Sequence, residues 1–216
     1  FKKIPKILND LKSGKSIALV SDAGMPNICD PGEDLVRNAR LNGIDVICIP
    51  GPCAAINALI SSGMASSSFI FEGFLPKKGK LRDEILLEIS KYKKTTVLFE
   101  SPQRLLRLLF DLKEYCGGER EIQVSREMTK KYEEHISSNI ENVIKHFKNK
   151  EVLGEITLVI KGKIEKKVSE IDQSLLKKEL NELIEAGLSL SSAATYLAKR
   201  NKLSKRIVYN LNFSKI

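Results

Sequence analysis

The sequence predicts an α/β protein of two stacked α/β domains with a small helical unit at its carboxyl end. Short apolar runs break off into loops rich in Gly, Pro and Ser. Segments with apolar residues at helical spacing lie between those runs. Beyond residue 161 the strand signal stops, and a charged stretch leads into short helical segments. Strands alternating with helices point to layered α/β architecture, and the change of pattern marks a separate unit.

Residues 1–12 read as a helix that ends at Ser13-Gly14. Residues 17–20, Ile-Ala-Leu-Val, form a continuous apolar run, as expected of a strand buried on both faces. The chain then enters Ser21, Asp22, Ala23, Gly24, Met25, Pro26 and, a little later, Ile28 and Cys29-Asp30-Pro31-Gly32. Ligands of open α/β sheets bind where such loops leave the strands. Gly24 permits close backbone approach, and Asp22 offers an acceptor to hydroxyl or ammonium groups. An ordinary strand-to-helix turn is the alternative. A helix over residues 33–40 leads to a second apolar run, residues 46–49, which enters Pro50-Gly51-Pro52. Cys53, Ala54 and Ala55 continue that loop, and an apolar helix over residues 56–60 follows. One right-handed βαβ unit would bring both loops to the same sheet edge.

Residues 61–68 are small and polar, and residues 69–76 are strand-like. They mark the passage from a first domain, residues 1–70, to a second, residues 71–163. The basic run containing Lys77, Lys78, Lys80 and Arg82 is a solvated loop or a grip on phosphates. A helix over residues 81–91 precedes a strand at 95–99 and the loop Glu100-Ser101-Pro102-Gln103-Arg104. Leu105, Leu108, Leu109 and Leu112 mark the core face of the next helix. Residues 122–125 form a third strand, running into Arg126, Glu127 and Met128. A short strand at 133–136, a helix at 140–147 and a strand at 154–160 complete a sheet expected to be mixed.

The unit over residues 164–216 has helices at 175–186 and 190–199 and a third starting at Ser204. This rhythm resembles that of small nucleic-acid-binding modules, with docking against the main body as the alternative, and Lys205 and Arg206 add charge at one junction. The whole chain, 216 residues, carries 36 Lys and Arg against 27 Asp and Glu, a net +9 that suits a polyanionic partner. No run approaches the ~20 apolar residues of a membrane helix, and no signal-peptide pattern opens the chain. The four cysteines lack CxxC spacing, so neither a zinc site nor a disulfide framework is suggested. A cytoplasmic protein without metal or membrane association is expected.

Several blocks, SDAGMPNICDPG, IPGPCAA, FEGFLPKKGKLR, LFESPQR and SREMTKKYEE, resemble the ribosomal RNA small subunit methyltransferase I family, within the class III tetrapyrrole methylase superfamily. That resemblance implies S-adenosylmethionine folded in a cleft between the two α/β domains. It implies that Ser21, Asp22, Ala23, Gly24, Met25 and Ile28 line one side, that Cys53 and Ala54 cover the adenosine, and that Glu100 and Met128 approach from the second domain. It further implies methylation of a cytidine 2′-hydroxyl in the decoding region of 16S rRNA in the small ribosomal subunit, and a homodimer. Relatives carry an opening TPIGNL-like loop and an EDTR-like block; neither occurs here, so the chain is expected to start partway through its first domain. Tetrapyrrole-acting members have an acidic residue about where Met25 stands.

Methyl transfer from a sulfonium is an in-line displacement dominated by positioning. A ribose hydroxyl gains from a base near its proton. Glu100, Arg126 and Glu127 are the catalytic candidates, with an Arg126–Glu127 structural pair as the other possibility. His135 and His146 are read as surface or packing residues. Methylation of a tetrapyrrole precursor and non-catalytic RNA binding are the competing functions.

Overall fold

The computed structural model describes residues 3–164, 173–201 and 203–213. These fall into two compact units, one ending at Lys163 and the other starting at Ile164.

The first unit opens with α1 (Ile4–Lys12), α2 (Glu33–Leu41) and α3 (Ala54–Ser62). Five strands follow: β1 (Phe69–Phe74), β2 (Thr95–Glu100), β3 (Glu121–Arg126), β4 (Glu134–Asn139) and β5 (Ile156–Ile160). Helices α4 (Lys80–Lys91), α5 (Pro102–Cys116) and α6 (Ile140–Phe147) are interleaved with them. The strand order is β1-β2-β5-β3-β4. β1 and β2 run parallel, while β5 lies antiparallel between β2 and β3, as the mixed-sheet expectation requires. The sequence boundary between residues 70 and 71 falls inside β1.

Strand register assigns the faces. Leu98, Leu158 and Val124 share one face with the α5 leucines at 105, 108, 109 and 112, all four fully buried. Val97 and Val159 face the other way and meet Ala55, Ala58 and Leu59 of α3. At α3 only small side chains and one leucine touch the sheet, which lets the helix lie close over the strands.

The two apolar runs at 17–20 and 46–49 depart from expectation. Neither forms a strand among the described residues, and Val20 and Ile47 are 81% and 82% exposed. An apolar run becomes a strand only when a neighbour takes up its backbone hydrogen bonds. No described strand pairs with either run. Helix α5 also starts earlier than expected: Pro102 occupies its first turn, where a missing N–H costs nothing.

The second unit contains α7 (Gln173–Glu185), α8 (Leu190–Asn201) and α9 (Lys205–Leu211). Leu176, Leu180, Leu197, Val208 and Leu211 form its core. Ser204 caps α9 by accepting from the Ile207 N–H, a local start signal visible in the sequence. No helix among the described residues is long and apolar enough to cross a membrane.

Candidate functional site

Although the runs at 17–20 and 46–49 form no described strand, the two Gly- and Pro-rich loops meet. A Cβ on Gly51 would stand 3.0 Å from Met25 Sδ, and one on Gly24 would stand 3.6 Å from the Pro52 carbonyl. Gly24 has φ +73°, and Asn27 and Cys29 also take positive φ, so the first loop is tightly wound. The Ser21 hydroxyl donates to the Ala23 carbonyl at 3.0 Å and closes its first turn. Cys29 Sγ lies 2.7 Å from where a Cβ on Gly73 would project, which seats the loop against the β1 bulge. Asp22 and Ala23 are exposed, Met25 is half-buried and Ile28 is 42% exposed. The Asp22 carboxylate takes no hydrogen bond or ion pair among the described residues.

Cys53 precedes α3 in extended conformation and supplies no side-chain cap. The first amides of α3 therefore lack a side-chain acceptor and carry the positive end of the helix dipole. Ala54 is exposed beside them. Cys53 and Met128, 75 residues apart in sequence, pack onto one apolar cluster with Phe69, Phe71 and Phe99. The structure thus brings Cys53 and Met128 together on the α3 side of the sheet. Two shallow recesses of about 370 and 380 Å³ flank α2 instead, and neither contains a candidate residue.

Glu100 behaves differently. Register places Glu100, Ile156, Arg126 and Glu134 in one row across the sheet, on the face covered by α4, α5 and α6. The Glu100 side chain therefore lies on the opposite face from Cys53 and Met128. It is buried, and both its oxygens are engaged: the Ser101 N–H donates to Oε1 at 2.8 Å, and Arg104 Nη2 donates to Oε2 at 3.0 Å. Arg104 also donates to the Leu75 carbonyl at 2.8 Å. Strand alternation and an i,i+4 partner on α5 account for this placement of Glu100.

Arg126 pairs with Glu134 (3.1 Å) and reaches the Leu153 carbonyl. The alternative Arg126–Glu127 pair does not form. Glu127, at φ +51°, instead accepts from Lys130 Nζ and the Glu155 N–H, both at 2.9 Å. The Lys130 hydrogen bond, then that amide, hold its carboxyl below the ordinary range. Burial pushes Glu134 up, but hydrogen bonds from Arg126 and His146 outweigh it and leave the carboxyl lowered. Gly154 has φ +91°, and a Cβ there would overlap the Glu127 carboxyl, so a side chain would strain the backbone and displace that carboxyl.

A polar chain absent from the sequence reading crosses the α3 face. Gln123 Nε2 donates to Ser61 Oγ and Ser125 Oγ, both at 3.0 Å. Ser125 Oγ meets His135 Nδ1 at 3.0 Å, and His135 Nε2 meets Glu133 Oε1 at 2.8 Å. Glu133 also accepts from the Thr129 N–H, and His135 followed by this amide lowers its carboxyl. His135 is thus a linker between the Met128–Thr129 turn and buried Ser125.

Among the basic candidates, Lys77, Lys78 and Lys80 are exposed, Lys80 within 3.6 Å of Glu84. Arg82 is placed differently. It is 2% exposed, with its guanidinium on Asp111 (2.6 Å) and the Pro76 carbonyl, so it cannot reach a phosphate without breaking a buried pair. In the second unit Lys205 donates to Ser191 Oγ at 2.7 Å and Arg206 is exposed. Among the described residues no group of three or more His, Cys, Asp or Glu side chains could hold a metal ion.

The tetrapyrrole (corrin/porphyrin) methylase family matches residues 3–144. The ribosomal RNA small subunit methyltransferase I of Synechocystis is 41% identical over 207 residues, covering 96% of this chain and 74% of that protein. That of Thermotoga maritima is 48% identical over 162 residues, covering 75% and 72%. This chain belongs to that methyltransferase family. Diphthine synthase superposes with a TM-score of 0.58 at 13% identity, over 76% of this chain and 66% of that one. The methyltransferase CobJ superposes with a TM-score of 0.57 at 15% identity, over 74% and 70%. At such identities the two structures show the shared fold alone. The family read from the loop blocks is therefore the family of the chain, and its fold is of the class III tetrapyrrole methylase kind.

Proposed function

We propose that this methyltransferase uses S-adenosylmethionine to methylate the ribose 2′-hydroxyl of a cytidine in the decoding region of 16S rRNA, acting on the small ribosomal subunit as a cytoplasmic homodimer. The observation that carries the donor assignment is the meeting of the two Gly- and Pro-rich loops beside the uncapped start of α3. The donor set suits that cofactor. Asp22 would accept from ribose hydroxyls, the free amides of α3 would receive a carboxylate, and Cys53, Ala54 and Met128 would offer an apolar bed for adenine. Ser21, Ala23, Gly24, Met25 and Ile28 would form the wall opposite.

When bound, the cofactor supplies an electrophilic methyl group. The chain then has to position the acceptor and keep water away. Glu100 has both oxygens engaged and Glu127 accepts twice at Oε1, which suits holding more than proton removal. Glu100 fixes the start of α5, Arg126 ties β3 to β4 and residue 153, and Glu127 locks the turn that presents Met128. In this reading these three are positioning residues. Lys77, Lys78 and Lys80, together with Lys205 and Arg206, supply phosphate contacts. Residues 1–70 contribute the loops, 71–163 the rim and 164–216 an RNA-binding unit. The family relationship and the net charge of +9 support an RNA substrate.

The test is incubation with methyl-labelled S-adenosylmethionine and small ribosomal subunits from cells lacking the activity, with a tetrapyrrole precursor in parallel. Label on a ribose oxygen of a cytidine, found by nuclease digestion and mass spectrometry, is expected. Label only in the tetrapyrrole would overturn the proposal. Cofactor binding without label in either substrate would favour an RNA-binding module.

A further inference from the structure

We infer that the α8–α9 surface of the second unit is a stacking platform for unpaired RNA bases. The inference rests on the RNA reading above and specifies the state of RNA that this unit takes.

Charge is segregated here. Residues 186–216 contain six Lys and Arg and no Asp or Glu, whereas α7 carries Glu179, Glu182 and Glu185. Arg200 is turned back onto Glu179, which leaves Lys199, Lys205 and Arg206 as exposed cations on a surface with no acidic neighbour on its own two helices. Interleaved with them are aromatic rings: Tyr196 is 54% exposed, Tyr209 37% and Phe213 68%. The core of the unit closes on Leu176, Leu180, Leu197, Val208 and Leu211 without using these rings. Arg206, Tyr209 and Phe213 follow at i, i+3 and i+7, one stripe along α9 and the turn after it. The Tyr209 and Phe213 rings stand 5.9 Å apart, inclined at 41°.

A one-sign cationic border around exposed rings is complementary to a polyanion that also presents flat apolar faces. Unpaired RNA has both features; duplex RNA buries its base faces within the helix and offers mainly phosphates and 2′-hydroxyls. The ring stripe therefore fits single-stranded segments, while Lys199, Lys205 and Arg206 serve any RNA.

The test is fluorescence anisotropy of the full chain with a labelled single strand of about 12 nucleotides and with the same sequence as a duplex, a length matched to one small binding site. Replacing both rings, Tyr209→Ala with Phe213→Ala, should weaken single-strand binding at least tenfold and duplex binding less than threefold. Tyr209→Phe should retain the affinity, because stacking needs the ring and not the hydroxyl. Lys205→Ala with Arg206→Ala should weaken both RNAs alike and flatten the salt dependence. Equal losses on the two RNAs after removal of the rings would overturn the platform while leaving the RNA reading intact. A fall in melting temperature or loss of a dimer with unchanged RNA affinity would overturn it in favour of internal packing or a second copy. Loss of binding to anionic vesicles alone would overturn it in favour of a lipid surface. A parent chain that bound neither RNA would sink the RNA reading itself.

Discussion

The Gly- and Pro-rich loops and the strand-end rim both carry polar residues, but they treat them in opposite ways. Along the rim, Glu100, Arg126, Glu127 and Glu134 each have partners within 3.1 Å. In the loops, the Asp22 carboxylate takes no partner among the described residues and the first amides of α3 lack a side-chain cap. A group whose hydrogen-bonding capacity is filled contributes to shape; one left unfilled at an accessible surface can bind. The difference supports the proposal that the rim is scaffold and the loops recognise the donor, and substitutions can separate the two roles.

The largest expected effect comes from Glu100→Ala. Removing one member of a buried pair leaves the other charge stranded, so denaturant unfolding should show a loss of ~3 kcal/mol. This is the low end of the usual range because Arg104 keeps 24% of its side chain in water. Next is Gly73→Ala, at φ +62° with Cys29 Sγ 2.7 Å from the new methyl. Left-handed backbone and the clash together should cost about 2 kcal/mol, read in the same assay, and should loosen the loop over residues 21–32.

Acid should weaken the rim. Glu127, Glu133 and Glu134 all titrate below the ordinary 4.5 in the folded protein. The folded state therefore holds their protons less tightly than the unfolded chain. Their contribution is complete above about pH 4.5 and is lost as pH falls through their lowered folded values. Melting temperature should fall along that path, and Glu134→Gln should flatten the decline. The smallest stability effect should be that of Asp22→Asn, within about 0.5 kcal/mol, as for a surface substitution away from any paired network.

Much of the fold was legible because periodicity encodes burial locally. The leucines at 105, 108, 109 and 112 fall on one helix face, and all are buried as that spacing demands. The runs at 17–20 and 46–49 misled because apolar composition says nothing about which strand will supply the ladder. Arg82 misled for a related reason: its partner Asp111 lies 29 residues away, so a basic run looked solvated. The Glu100–Arg104 pair was available at i,i+4 spacing and went unread. The Ser125–His135 contact could not be read at all, because it depends on the register that sets β3 against β4. In the loops, Met25 and Gly51 lie together although the runs at 17–20 and 46–49 form no described strand.

The most direct measurement is the calorimetric affinity of Asp22→Asn for S-adenosylmethionine beside that of the parent protein. If the loops do the recognising, the variant should melt with the parent yet bind at least tenfold more weakly, the order of a lost charge-assisted hydrogen bond. Unchanged affinity in the well-folded variant would contradict the assignment of recognition to the loops.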